Sequence, residues 1–301
     1  MWSLVVGSAL AQAVVVDDAV LTADAVLPDG VGSPSVVYDA TRQRFLMVFE
    51  TAAAAPAGCH EGWAIGGAVS SDGTSWRRLG RPLLQASPEA PCGPRHPSLV
   101  KQDDGALVVA FTATDVAVDG VGLATWEAGA RTVWRVQALD GLSEPALARH
   151  DGTWQLLGVD PVEGVVSAHS TDLTVWEVDS SAVVPTGATS WSGDGVFSPA
   201  LDCIDGDPVF PWSLHYAGWS GVEAAWASSV GDTVGNYYVS SAIDTWAVDA
   251  AWISFDVVHA TSGAFVWFEH LGTDGLPRIG FATLDAPLST EVVDRDCHST
   301  P

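Results

Sequence analysis

The chain has 301 residues, with 12 Lys and Arg against 37 Asp and Glu, and a formal charge of −25. Affinity for nucleic acid comes largely from Lys and Arg neutralising phosphates, so this balance excludes a nucleic-acid partner and argues equally against anionic membranes. With 30 Gly, 17 Pro and 14 Trp, no long helical apolar stripe and no later run near the ~18 apolar residues of a membrane span, the composition predicts an all-β chain without membrane insertion.

Met1 to Ala13 is an apolar stretch ending in the small-x-small pattern Ala11-Gln12-Ala13. It predicts a signal peptide over residues 1–13, short and without a Lys or Arg at its start, with a first β-strand as the alternative. Export to the cell exterior or the periplasm follows, with one domain over residues 14–301. Val14 to Leu27 is apolar and β-branched but lies outside any repeat, and it is expected to close a ring against the last repeat. The repeat begins with a polar residue, a proline, a short apolar run, a polar turn and a second apolar run. Its copies are Ser33-Pro34 to Phe49, His96-Pro97 to Phe111, Glu144-Pro145 to Leu157 and Ser198-Pro199 to Tyr216. They stand roughly 45–65 residues apart, the range of propeller blades. A third strand, a tight turn and a tryptophan follow in Ala68 to Trp76, with weaker echoes leading to Trp134 and Trp176. Trp226 to Ser229 and Ile279 to Thr283 hold the third-strand place in units four and five. The fifth unit has no proline and is read from Ala250 to Phe255 and Ala264 to Phe268. The expectation is a five-bladed β-propeller of four-stranded antiparallel blades, a monomer.

The four cysteines suit an exported chain and allow three pairings. Cys59 and Cys92 flank the third and fourth strands of the first unit, in loops rich in Ala, Pro and Gly, so a bridge there pins two long loops. Cys203 sits at the first hairpin of unit four and Cys297 lies in the C-terminal tail, where adjacent blades can bring them together. The favoured pairs are 59–92 and 203–297, against unpaired thiols. No Cys-x-x-Cys occurs and the histidines are scattered, so no metal or other cofactor is expected. Asp202 to Asp207 lacks the full spacing and final Glu of a calcium loop and reads as a hairpin turn.

The proline-led first strands, the Asp72-Gly73 and Asp172-Leu173 turns before tryptophan and the five units resemble the five-bladed propeller glycoside hydrolases of the arabinanase, xylosidase, levansucrase and invertase group, over about residues 30 to 285. The resemblance implies an oligo- or polysaccharide partner and a central funnel lined by the residue before each blade proline. In that group an Asp in blade one is base or nucleophile, an Asp in blade three orients, and a Glu in blade four is the acid. Those places hold Ser33, Glu144 and Ser198, with His96 in blade two. Serine cannot replace either carboxyl of the usual pair. Three readings follow: binding of a neutral glycan without cleavage, carboxylates relocated to Glu50, Asp194, Asp202 or Asp249, or a His96 and Glu144 pair acting as acid and base.

Glu144 and His96 are the catalytic candidates; for Glu144 the alternative is a carboxylate hydrogen-bonded to the next blade's backbone. Substrate-binding candidates are Ser33, Arg95, Ser198 and His215, with Trp191 and Trp219 of a cluster that includes Trp212 and offers rings for a sugar's apolar face. His215-Tyr216 and Glu269-His270 end second strands near the expected funnel mouth. Trp76, Trp134 and Trp176 recur at one blade position and read as core. The Ser70 to Trp76 segment also resembles the Asp-box of sialidases, whose several active-site arginines find only Arg95 at an inner-strand start. A silent propeller that mediates protein or glycan contacts is the non-enzymatic alternative.

Overall fold

The computed structural model describes residues 13–22, 30–102, 104–127, 130–187, 192–203, 212–220, 223–231, 237–247, 254–260, 263–272, 274–284 and 296–297. It is an all-β propeller. Strand β1 (Ala13–Leu21) stands first in the chain. The first full sheet follows, β2 (Gly32–Asp39), β3 (Arg44–Ala53), β4 (Gly62–Ser70) and the short β5 (Arg77–Arg78), in that spatial order. The second sheet repeats the pattern with β6 (Gly93–Lys101), β7 (Leu107–Thr114), β8 (Gly120–Glu127) and β9 (Ala130–Asp140).

The next sheet departs from the expected four strands. Its body is β10 (Ser143–His150), β11 (Thr153–Asp160), β12 (Gly164–Ser170) and β13 (Glu177–Val178), but β14 (Val184–Pro185) also pairs with β12. Pro185 has no N–H to continue a ladder, so this outer edge is covered in two short pieces. The sheet of β15 (Gly195–Cys203), β16 (Trp212–Ser220), β17 (Glu223–Gly231) and β18 (Tyr237–Ala247) is again four-stranded. The last comprises β19 (Ser254–Ala260), β20 (Gly263–Leu271) and β21 (Pro277–Leu284), and its fourth, outer strand is β1. The expected closing strand therefore completes the last sheet from the N-terminal end. Strand β22 (Asp296–Cys297) lies parallel to β10, pairing Cys297 with His150 and bringing the third sheet to six strands.

The first strands contact one another in the cyclic order β2, β6, β10, β15, β19 and back to β2. Each sheet is thus covered on both faces, and successive residues of an inner strand are both buried rather than alternating. Val36 and Val37 are each 0% exposed: Val36 packs with Phe45, Trp267 and Phe281 in the seam against the last sheet, Val37 with Leu99 and Phe111 in the seam against the second. Further apolar clusters fill the remaining seams. Trp176 is buried in one of them, with Trp134 partly buried against the same cluster, and Trp76 packs as a partly buried ring against the cluster of Val36.

Two turns show why a tryptophan follows the third strand. The Ser70 hydroxyl accepts the N–H of Asp72 and Gly73, the Asp72 carboxylate accepts those of Thr74 and Ser75, and Trp76 Nε1 donates to the Gly73 carbonyl. Ser170, Asp172, Leu173 and Trp176 repeat every one of these bonds in the third sheet. The turn needs a left-handed residue third in line, so Gly73 stands at φ 78° and Leu173 at φ 66°.

Candidate functional site

The four residues before the repeat prolines share one backbone state. Ser33, His96, Glu144 and Ser198 have φ of 44°, 44°, 49° and 50°. At each the first strand carries an extra residue against its partner: the register shifts between Gly32 and Ser35, Arg95 and Ser98, Ser143 and Ala146, and Phe197 and Ala200. Such a bulge turns a side chain out of the pleat, here toward the axis. Left-handed φ at a non-glycine residue costs about 1–3 kcal/mol and persists only where the surroundings over-determine it.

The over-determination is a cycle of hydrogen bonds from sheet to sheet. The His96 N–H donates to Glu50 Oε2 at 3.0 Å, the Glu144 N–H to Thr112 Oγ1 at 2.8 Å, and the Ser198 N–H to Glu144 Oε2. The Phe255 N–H donates to the Ser198 hydroxyl at 3.3 Å, and the Ser33 N–H to Glu269 Oε2 at 2.7 Å, closing the ring. Glu144 therefore holds the backbone of the next sheet, the structural alternative stated for it above. The ring surrounds an axial pocket of about 30 Å³ whose wall includes Ser33, His96, Glu144, Ser198 and a fifth member, Ser254. The sequence repeat missed Ser254 because Phe255 replaces the proline. With the proline the bulge is gone too, since Ser254 pairs with Glu269 and Phe255 with Phe268 in unbroken register.

A larger cavity of about 510 Å³ opens at the seam between the first and last sheets, walled by Glu50, Glu269, Arg95, Trp63 and Gly32, with His60 of the 54–61 loop on its rim. Among the described residues anticipated for binding, Ser33, Ser198 and His215 do not line it and Arg95 does. Its guanidinium lies 3.9 Å from the Trp63 ring centre and its Nη2 3.3 Å from Glu50 Oε1. His96 Nε2 stands 3.7 Å from Glu50 Oε2, and its Nδ1 3.3 Å from Thr112 Oγ1. Burial pushes the Glu50 carboxyl upward, but His96, Arg95 and the His96 N–H outweigh it and hold Glu50 below the usual range. Burial and then the Glu50 charge push Glu269 up to about 7, against the Ser33 N–H and the Ser254 hydroxyl, which donates at 2.9 Å. The two carboxyls are thereby pushed apart, Glu50 toward the ionised form and Glu269 toward keeping its proton up to about pH 7.

Gly32 makes room for this arrangement. A Cβ there would stand 2.4 Å from Glu269 Oε2. The 54–61 loop is pinned by the disulfide Cys59–Cys92, the first of the anticipated pairs, with Cα atoms 5.5 Å apart, and the Trp63 N–H donates to the Cys92 carbonyl at 3.1 Å. The side chains of Cys203 and Cys297 lie outside the described residues, as do those of Trp191, Trp212 and Trp219, residues 1–12, and the relocated-carboxylate candidates Asp202 and Asp249. His215 is buried in β16 and lines neither cavity. The sequence did carry a signal for the larger cavity: the dipeptides Phe49-Glu50 and Phe268-Glu269 stand in the C-terminal halves of β3 and β20.

Comparison with known structures bears on the fold. One similar structure comes from work on the GH130 family of mannoside phosphorylases and its glycoside hydrolases that target β-1,2 mannosidic linkages in Candida mannan. It is 14% identical, with a TM-score of 0.69 over 94% of this chain and 98% of the other. The fold is that of the propeller glycoside hydrolases. A family 117 glycoside hydrolase from the marine bacterium Zobellia galactanivorans matches at 13% identity and TM-score 0.63, over 92% of this chain and 91% of its own. The catalytic domain of a GH62 α-L-arabinofuranosidase from Coprinopsis cinerea matches at 11% and 0.59, over 91% and 97%. No protein-family model matches the sequence, and no curated protein matches it significantly.

Proposed function

We propose that this is an exported, carbohydrate-active propeller of five blades, monomeric, that holds a neutral oligosaccharide in the cavity between its first and last blades. The six-stranded sheet counts as the third blade, with β14 and β22 as additions to its edges. The observation that carries the reading is the 510 Å³ cavity, which combines a carboxyl pair, a guanidinium and an indole on a fold shared with sugar-cleaving enzymes. Its volume falls in the ~300–1,000 Å³ range of small-molecule sites, whereas the axial pocket of about 30 Å³ has room for little more than a water. The sugar therefore belongs beside Glu50, Arg95 and Trp63 rather than on the axis. Neutral hydroxyls suit a wall that offers both donors and acceptors, and a chain of net charge −25 repels polyanions.

The axis itself is left without the usual acid and base. The axial places hold Ser33 and Ser198, and Glu144 is committed to the Ser198 N–H. The test is calorimetric titration with β-1,2-mannobiose and with arabino-, xylo- and fructo-oligosaccharides. Binding of at least one, weakened tenfold or more in Trp63→Ala and unchanged in Glu144→Gln, supports the cavity. Loss in Glu144→Gln with Trp63→Ala neutral moves the site to the axis.

A further inference from the structure

Two carboxyl groups on second strands, one from each side of the blade-one and blade-five seam, converge on this cavity. We propose that Glu269 is the proton donor and Glu50 the nucleophile of a glycoside-cleaving pair in the cavity. This rests on the reading that the cavity takes a sugar. The pair lies away from the pre-proline places to which the resemblance points, and those places hold serine.

Geometry comes first. Glu269 Oε2 sits against Gly32, within 2.4 Å of where a Cβ would stand, and Gly32 pairs directly with Glu50 across β2 and β3. Directly opposed residues have Cβ atoms about 4.5–5.5 Å apart on one face of the sheet. The two carboxyls therefore converge on Gly32 at one wall of the cavity, the facing arrangement that a glycoside-cleaving pair requires. Their surroundings assign the roles. Glu50 accepts from the His96 N–H and the Arg95 guanidinium, which keep it ionised and make it a weak base, suited to attack at carbon. Glu269 keeps its proton through burial and the facing Glu50 charge.

In the first step Glu50 forms a bond to the anomeric carbon as the bond from that carbon to the leaving oxygen breaks, and the Glu269 proton goes to that oxygen. In the second step water bonds to the anomeric carbon, its proton passes to Glu269, and Glu50 is released. Water is the only co-reactant.

The experiment uses the whole chain and the same sugars, together with their 2,4-dinitrophenyl glycosides and 2-deoxy-2-fluoro analogues. Wild type is expected to hydrolyse at least one sugar, with a falling limb above about pH 7. The charged groups facing Glu269 are Glu50 from β3 and Arg95 from β6, with His60 and Glu61 at the cavity rim. Glu269→Gln should lose about 10²–10⁴-fold on the natural sugar and far less on the dinitrophenyl glycoside, whose leaving group needs no proton. The fluoro analogue should add one glycosyl mass to the peptide carrying Glu50. Binding without turnover overturns the pair and leaves the sugar-binding reading standing; no binding overturns both. A glycosyl mass on another residue, or equal loss on both leaving groups, also overturns it. Should Glu269→Gln fail to fold, labelling of the wild type and its pH limb decide alone.

Discussion

The raised Glu269 carboxyl makes stability fall where most acidic proteins gain it. Its group stands at 4.5 in an unconstrained chain and near 7 when folded. Between those values the native state holds one proton that the unfolded state has released, so unfolding free energy decreases as pH rises. The contribution is complete below about pH 4.5 and gone once pH passes through the folded value. A displacement from 4.5 to about 7 corresponds to about 3 kcal/mol at 1.36 kcal/mol per unit. The side chain is 6% exposed, so solvent screening does not erase it. Glu50, lowered on folding, contributes in the opposite sense, and that stabilisation is lost as pH falls through its folded value. The Glu269→Gln variant isolates the first effect, because Gln accepts from the Ser33 N–H but does not titrate. Urea unfolding followed by the fluorescence of the 14 tryptophans, at pH 5, 6, 7 and 8, should show wild type losing up to about 3 kcal/mol relative to the variant across that range. Parallel profiles would falsify the claim that Glu269 is protonated in the folded seam.

Gly32→Ala should destabilise the protein by about 2–4 kcal/mol, from overpacking against Glu269 together with loss of the buried bond from the Ser33 N–H; a change under 0.5 kcal/mol in chemical denaturation would show that the carboxyl has room to move. Thr112→Val keeps the volume of a side chain that is 1% exposed but leaves the Glu144 N–H without its acceptor, an expected loss of about 1–3 kcal/mol, with Thr112→Ser recovering most of it. Reducing Cys59–Cys92, 33 residues apart, should remove about 3–4 kcal/mol and expose the 54–61 loop to limited proteolysis while far-UV dichroism keeps its β signature; a loop that stays resistant contradicts its pinning.

The ring was legible because proline writes it into the sequence. Pro34, Pro97, Pro145 and Pro199 each mark a first strand, and the residue before each reached the axis as the repeat implied. The Cys59–Cys92 bridge was legible too, from two loops that bracket one hairpin. The acceptor duty of Glu144 was one of two readings open in the sequence, but its partner, the Ser198 N–H, 54 residues on and in another sheet, was not legible. Glu50 and Glu269 were visible as polar ends of apolar strands, but their meeting was not. Ser33 and Glu269 stand 236 residues apart, and only ring closure by β1 and the cyclic order of the inner strands brings them together. The extra strands of the third sheet escaped because two-residue pairings carry no periodicity.

The same closure explains why the cavity lies at this seam. Four sheets repeat a proline, a bulge and a left-handed residue, and in them the N–H of the residue at the axis is held by a side chain of a neighbouring sheet. The last sheet has neither proline nor bulge, so Ser254 pairs squarely with Glu269, and Glu269 reaches across to Ser33. Across the seam, Gly32 provides the space that this carboxyl fills, and Glu50 stands opposite Gly32 in the ladder. Together these departures place two buried carboxyls against one cavity, one lowered and one raised in proton affinity relative to its ordinary value, Glu269 holding its proton the more tightly. Restoring the repeat with Ser254→Glu and Phe255→Pro should reintroduce left-handed strain of about 1–3 kcal/mol and displace Glu269. Loss of sugar binding in that variant, with the axial ring of the other four blades intact, would locate function at the break in the repeat; retained binding would return it to the axis.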